Sequence, residues 1–475
     1  MTRLKELSLT NSDLPKLPNS IGDLRKLRTM TLTNSSMVKL PKTIGGLESL
    51  LELDLTRTGI RKLPASIGNL KKLRNLSMVH APIKKLPKEI GGLESLLVLN
   101  LSSTKITKDL PKAIWMLKNL KVLDAAYCKN MEGEIPSEIE GLSFLRRLEL
   151  SNSKIRRLPT TMNKLSHLQE LCLDECYELE QLPKLPVSLK ELKFSPHLFW
   201  TVLDLSYLSN LVDLHIRDGT PLLPKFRQEA PNIKWIEGLY CLEKLTLVIG
   251  DVEFPPINLD YLSCLRTLEI TCVRMRSLKR LPSSLEALTL RHVKSRMKRS
   301  LFSNLTNLSR LWFDSCQLRK VKFDDVLGQQ LQKLRSLDFY GNITLWRLTV
   351  SGLKGLRRLK TTRCPALMEI RGVEKLESLE ELSIDECSFL ERLPDLSKLK
   401  KLQNLSLTGI PLERLPDLSK FKELRDLNLS GFPQEKLPDL HIPDTCEVSF
   451  EDFMGTYKEW KDTRRNGAGD ISNPL

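Results

Sequence analysis

The residues of this 475-residue chain best suited to chemistry are its cysteines, histidines and paired carboxylates. Cys172 and Cys176 form a C-x-x-x-C pair, which a zinc site would have to complete with further Cys or His ligands. His80, His167, His197, His215, His292 and His441 are scattered, and none stands at ligand spacing from a cysteine. Acidic pairs such as Glu52/Asp54 lie where a solvated surface explains them without proton-transfer chemistry. The chain has no G-x-x-x-x-G-K-[ST] phosphate loop, no G-x-G-x-x-G after a strand, no H-E-x-x-H and no G-x-S-x-G. An enzyme, a cofactor and a metal are therefore not expected. The run Lys294-Ser295-Arg296-Met297-Lys298-Arg299 offers nuclear import or nucleic-acid contact. A solvated variable segment is the plainer reading, so nucleic acid is not favoured.

What must position these residues is an internal repeat. Leu4, Leu27, Leu50, Leu73 and Leu96 open the same phrase at a common spacing. In one copy Leu50, Leu53 and Leu55 give L-x-x-L-x-L, followed by Ile60, Leu63, Pro64, Ile67, Gly68 and Leu70. Further strand starts fall at Leu120, Leu145, Leu168, Leu189, Leu211, Leu242, Leu265, Leu285, Leu308, Leu334, Leu356, Leu379, Leu402 and Leu424. This makes about nineteen units of the leucine-rich-repeat kind. Alternation turns each Leu inward and its neighbours outward from a short strand. Strands then stack in parallel at about 4.8 Å, because no single repeat can bury its own Leu face. The fold expected is an α/β repeat, a curved horseshoe solenoid with a parallel sheet on its concave side. Pro is expected to stop the ladder in the returning half, and Gly to ease the turn. Small donors recur at the strand exit, among them Ser12, Ser35, Thr58, Thr104, Cys128, Ser153, Cys176, Cys316, Cys364 and Cys387. They are expected to bond to backbone, which accounts for half the cysteines without metal or disulfide.

The register identifies the outward side chains. Early strands present Glu6, Glu52, Asp54, Asp124, Glu149, Glu170 and Asp174. Four later strands present Arg291, Arg310, Trp312, Asp314, Tyr340, Arg358 and Lys360, and the last return to Glu381, Asp385 and Asp426. Arg, Trp and Tyr are enriched at binding hot spots, and an exposed Trp on a strand face otherwise costs solubility. The stretch from Arg291 to Lys360 is therefore the expected contact for a protein ligand of acidic character. The alternative is that Trp312 packs on Arg310 and Tyr340.

Repeats over 1–167 are regular, those over 168–378 vary in length, and those over 379–445 are regular again. The longest irregular segment, between Leu211 and Leu242, reads as an inserted helix or loop. The repeat domain spans 1–450. A final strand at Cys446–Phe450 and a helix carrying Phe453, Tyr457 and Trp460 on one face are expected to cap it over 446–463. A disordered tail is expected over 464–475. The first strand lies within three residues of Met1 with no cap, so a preceding segment or partner is expected to cover Leu4, Leu7 and Leu9. The formal charge of +16 suits an elongated soluble surface. The N-terminus has no apolar signal-like region, and no stretch is long and apolar enough to span a bilayer. Ten cysteines without a signal point to reduced thiols in the cytosol, with access to the nucleus.

The units LPNSIGDL, LPKTIGGL, LPASIGNL and LPKEIGGL resemble the repeat region of plant nucleotide-binding immune receptors. LCLDECYELEQLPKLPVSLKEL, with its C-x-x-L-x-x-L-P-x-L-P-x-S-L pattern, is similar to receptors carrying an N-terminal TIR domain. RCPALMEIRGVEKLESLEELSIDECSFLERLPDLSKLKKL looks like the later repeats of the same group. The resemblance runs from Leu4 to about Phe450. It implies recognition of a pathogen effector or a guarded host protein, and restraint of a nucleotide-binding module in cis or in trans. The TIR and nucleotide-binding domains are absent, so their activities do not carry over. The regular early units also resemble Ras-group intracellular leucine-rich-repeat proteins, which makes a stand-alone signalling scaffold the alternative.

Overall fold

In the computed structural model, each L-x-x-L-x-L phrase forms a strand of three to five residues beginning two positions after its first Leu. The structure describes residues 3–107, 110–195, 203–217, 232–249, 256–271, 274–411, 418–431, 442, 446–450 and 453–456. The chain divides into two compact units, Met1–Leu242 and Glu243–Leu475.

In the first unit the strands run from Glu6–Ser8 through Arg147–Glu149 to Asp213–Arg217, each parallel to the next. Their middle residues pair in one row: Leu7, Met30, Leu53, Leu76, Leu99, Leu123, Leu148, Leu171, Leu192 and Leu214. From Met30 onward that row is at most 1% exposed, so the sheet's inner face is the core. The second unit repeats the plan from Lys244–Val248 to Glu447–Phe450. The fold is a leucine-rich-repeat solenoid.

The L-P-x-x-I-G phrase forms a single 3-10 turn, as at Ala65–Asn69, where Ile67 N–H donates to the Pro64 carbonyl at 3.0 Å and Ile67 is buried. Proline fits there because its ring fixes φ and the turn entry needs no N–H. The glycine acts differently from the sequence expectation. Gly68 does not take positive φ; a Cβ on it would stand 2.3 Å from the Glu89 carbonyl oxygen, and one on Gly92 would stand 2.6 Å from that of Gly68. These glycines let successive turns stack backbone against backbone.

Positive φ falls instead at the strand exit, on Asn11, Asn34, Arg57, His80, Ser103, Tyr127, Asn152 and Glu175, and again on His292, Ser315, Arg363 and Glu386. Except after His80 and His292, which Ala81 and Val293 follow, the next residue is the small donor of the repeat. Ser35 and Thr58 hydroxyls donate to the Leu32 and Leu55 carbonyls at 2.7 and 2.8 Å. The Cys128, Cys176 and Cys316 thiols reach back to the preceding strand's carbonyls at 3.2–3.3 Å. The expected backbone bonding holds at these positions. Ser12 instead accepts from Leu14 N–H near the surface.

The final strand forms at Glu447–Phe450. The helix expected from Phe453 onward does not: Phe453–Thr456 is a strand antiparallel to it. Pairing with a strand already in place competes well with an isolated helical turn, which is costly to nucleate. Tyr457, Trp460 and the tail over 464–475 lie outside the described residues, as does most of the expected insertion between Leu211 and Leu242. At the first strand Leu4 is 41% exposed, with Leu7 and Leu9 half-buried.

Candidate binding face of the second unit

Four adjacent strands, Ala287–Arg291, Arg310–Asp314, Ser336–Tyr340 and Arg358–Thr362, bring all seven expected residues onto one sheet. Register arranges their outward side chains in three rows. The first holds Ala287, Arg310, Ser336 and Arg358; the second Thr289, Trp312, Asp338 and Lys360; the third Arg291, Asp314, Tyr340 and Thr362. The small side chains between the large ones leave a depression of about 550 Å³ around Trp312, walled by Arg310, Tyr340, Arg358 and Lys360. Trp312 is 43% exposed and Tyr340 36% exposed. Beneath them, Phe313 and Phe339 stack at 4.9 Å between ring centroids and are buried, which fixes the floor.

The charges are distributed differently from the sequence expectation of a basic patch. Arg291 pairs with Glu269 at 2.7 Å and with Asp314, which is only 7% exposed. Both are thereby committed to holding neighbouring strands together. Arg358 and Lys360 both pair with Glu381 at 2.5 Å. Burial opposes ionisation of Glu381, but these two cations outweigh it and hold its carboxyl below the usual range. Burial raises Asp338, against the pull of Lys360 and Arg358, and the Ser336 hydroxyl donates to it at 2.8 Å. Arg310 alone among the four cations makes no ion pair among the described residues. The face is therefore aromatic and nearly charge-balanced, with one free guanidinium beside Trp312. Sequence reasoning missed Asp338 and Arg363, and counted Glu381 only among the acidic outward positions of the last strands. Arg363 donates to the Tyr340 hydroxyl at 2.8 Å and lies over its ring. Asp338 and Glu381 occupy outward strand positions that the register identifies.

Three acidic positions of the first unit bond their own backbone. Asp54 accepts from Thr56 N–H at 2.9 Å, Asp124 from Ala126 N–H at 3.1 Å and Glu149 from Ser151 N–H at 3.1 Å. Each carboxylate closes the turn two residues on. Asp174 differs: one of its oxygens is buried without a partner among the described residues. Burial pushes its carboxyl up to about 6, which Lys193 and Arg217 only partly oppose. The ionised form is thus penalised in the folded chain, so stability rises as pH falls from above 6 toward the ordinary range near 4. Asp174→Asn should stabilise by about 1–2 kcal/mol at pH 7 once solvent screening is allowed for. The gain should vanish near pH 4, as read by urea midpoints at both pH values. A gain independent of pH would refute this account.

The remaining chemical candidates separate. Cys172 and Cys176 are free; burial pushes both thiols up, Cys172 to about 12. His80 and His292 serve the positive-φ exits, and His167 Nδ1 bonds the Ser143 carbonyl oxygen at 3.0 Å. Among the described residues no three His, Cys, Asp or Glu side chains group to hold a metal, and no helix is long and apolar enough to cross a membrane. His197 and His441 lie outside the described residues.

Comparison with known proteins agrees with the repeat architecture. A family described as leucine-rich repeat region matches residues 1–81 and 65–133. TMV resistance protein N of Nicotiana glutinosa is 38% identical over 90 residues, which are 19% of this chain and 8% of that protein. The chain therefore covers only a small part of that relative's length. Among solved structures, a TDR receptor aligns with TM-score 0.53 and 17% identity over 95% of this chain and 85% of its own. The plant peptide hormone receptor RGFR1, solved with RGF2, aligns with TM-score 0.48 and 19% identity over 95% of both chains.

Proposed function

We propose that this chain is the protein-recognition part of a plant intracellular immune receptor. It acts in the cytosol with access to the nucleus, binding a pathogen effector or a guarded host protein. Its repeats also restrain a nucleotide-binding module, in the manner the family resemblance implies. The observation that carries the reading is the half-exposed Trp312 beside unpaired Arg310 and Tyr340, on a floor fixed by stacked phenylalanines. A rigid aromatic set with one free guanidinium is what a hot spot requires. The likeness to a resistance protein supports placing that surface in defence. Because most nearby cations are already paired, the ligand is expected to bring an apolar anchor and one carboxylate, not a broadly acidic surface.

The test is calorimetry of the chain against an effector or host protein recovered with it. Arg310→Ala with Trp312→Ala should weaken binding by about 2 kcal/mol or more, while Arg291→Ala should act mainly on stability. Unchanged affinity in the double variant would remove the patch from the reading. The regular 3-10 turns of the first unit favour a second reading, a stand-alone scaffold of the Ras-group type. Binding to a Ras-like GTPase, with no effector or guarded protein recovered, would establish it.

A further inference from the structure

The return segments of the second unit hold a feature that the proposed recognition face does not use. Lys320–Lys322, Arg347–Thr349 and Glu369–Arg371 form a small parallel sheet separate from the main one. Lys320–Lys322 is its edge and pairs with no other strand among the described residues. Arg319 C=O accepts from Trp346 N–H at 3.0 Å and Phe323 N–H donates to the Thr349 carbonyl at 2.8 Å. Those odd-numbered residues face the Arg347–Thr349 strand. Alternation turns the backbone groups of Lys320 and Lys322 the other way, toward the preceding repeat.

That repeat does not close against them. A groove of about 780 Å³ lies between Lys294–Arg299 and Gln317–Lys322, with Trp346 in its lining. Lys320 Nζ and the Arg347 guanidinium each stand 4.5 Å from the Trp346 ring centroid, which orders both cations. Arg296, Lys298 and Arg319 make no ion pair among the described residues. Arg299 and Lys322 share one carboxylate, Asp324, at 2.9 and 3.3 Å. The groove thus combines an open strand edge with an excess of unpaired positive charge.

We propose that this groove binds an extended acidic segment of a partner protein, which adds as a further strand on the Lys320–Lys322 edge. Lysines on an edge deter pairing with ordinary strands, and here they leave it open to one of opposite charge. The open backbone edge favours a peptide over a nucleic acid, whose phosphates need the cations but not the ladder. The groove shares no lining residue with the depression at Trp312, so the inference stands apart from the proposed function.

The test is fluorescence anisotropy of the full chain with a short labelled peptide of alternating Glu and Val. Saturable binding is expected, weakened roughly tenfold or more by Arg296→Glu with Arg319→Glu. These exposed side chains should leave the circular dichroism spectrum unchanged, and Trp312→Ala should leave peptide binding unchanged. The same peptide N-methylated at alternate residues should bind comparably weakly, because methylation removes the ladder donors. The proposal is overturned by equal binding of the methylated peptide, by undiminished binding to the charge-reversed chain, by the absence of binding, or by a single-stranded DNA of matched charge displacing the peptide preferentially.

Discussion

Leu148→Asp is expected to cost at least about 4 kcal/mol and to unfold only part of the chain. Leu148 is 0% exposed and lies in register between Leu123 and Leu171. Removing its side chain leaves a cavity costing roughly 2–5 kcal/mol. The carboxylate then enters an apolar row with no cation aligned to it, which adds a further penalty of several kcal/mol unless the strand leaves the stack. A solenoid repeat contacts only its neighbours, so the damage should spread from Val122–Asp124 to Glu170–Leu173 and fade beyond. Hydrogen exchange read by mass spectrometry should show protection lost over those strands and kept over Glu381–Asp385. Leu268→Asp, buried in the same way between Leu245 and Leu288, should mirror this in the second unit. Arg147→Ala, on the outward side of the Leu148 strand, loses an exposed ion pair to Glu170 and a looser one, at 3.5 Å, to the buried Glu149, and should cost only about 1 kcal/mol. Uniform loss of protection along the chain would contradict a neighbour-only stack.

The contrast between Leu148 and Arg147 marks what sequence alone makes legible. A period-two pattern repeated at nearly constant spacing leaves one solution for the inner face. Strand positions and the outward rows then follow by counting, which is why Trp312, Arg310 and Tyr340 fall together as expected. Charge state does not follow by counting. Glu269, two register positions and two strands away from Asp314, shares Arg291 with it, and only the twist and spacing of real strands decide that pairing. The outer half was less legible still. Arg57, Tyr127 and Glu175 take positive φ although none is the residue type that signals it. The stack overrides their local preference, because each exit must deliver the next small donor to a carbonyl at a strand end. The cap shows the converse: Phe453, Tyr457 and Trp460 have helical spacing, yet Phe453–Thr456 pairs with a neighbouring strand.

The glycines of the L-P-x-x-I-G phrase give the sharpest case in which conformation and space make different predictions. If Gly68 were needed for backbone freedom, any substitution would carry a similar strain. The structure gives it ordinary φ and no room: its absent Cβ would sit 2.3 Å from the Glu89 carbonyl oxygen and 3.1 Å from the Glu89 Cβ. Neither neighbour is a flexible side-chain end, so the turns Ala65–Asn69 and Lys88–Gly92 must separate to admit any side chain. Gly68→Val should therefore cost about 3 kcal/mol, and Gly68→Ala somewhat less, graded by volume. Gly238 ends the same kind of turn, Lys234–Gly238, but among the described residues a Cβ there meets nothing within 4 Å. Gly238→Ala should stabilise by roughly 0.4–1 kcal/mol, since it restricts the unfolded chain without a clash. Guanidinium midpoints of these variants decide between the two explanations. Close stacking requires opposite signs at Gly68 and Gly238, whereas equal losses at both would return the glycines to the role of flexible joints.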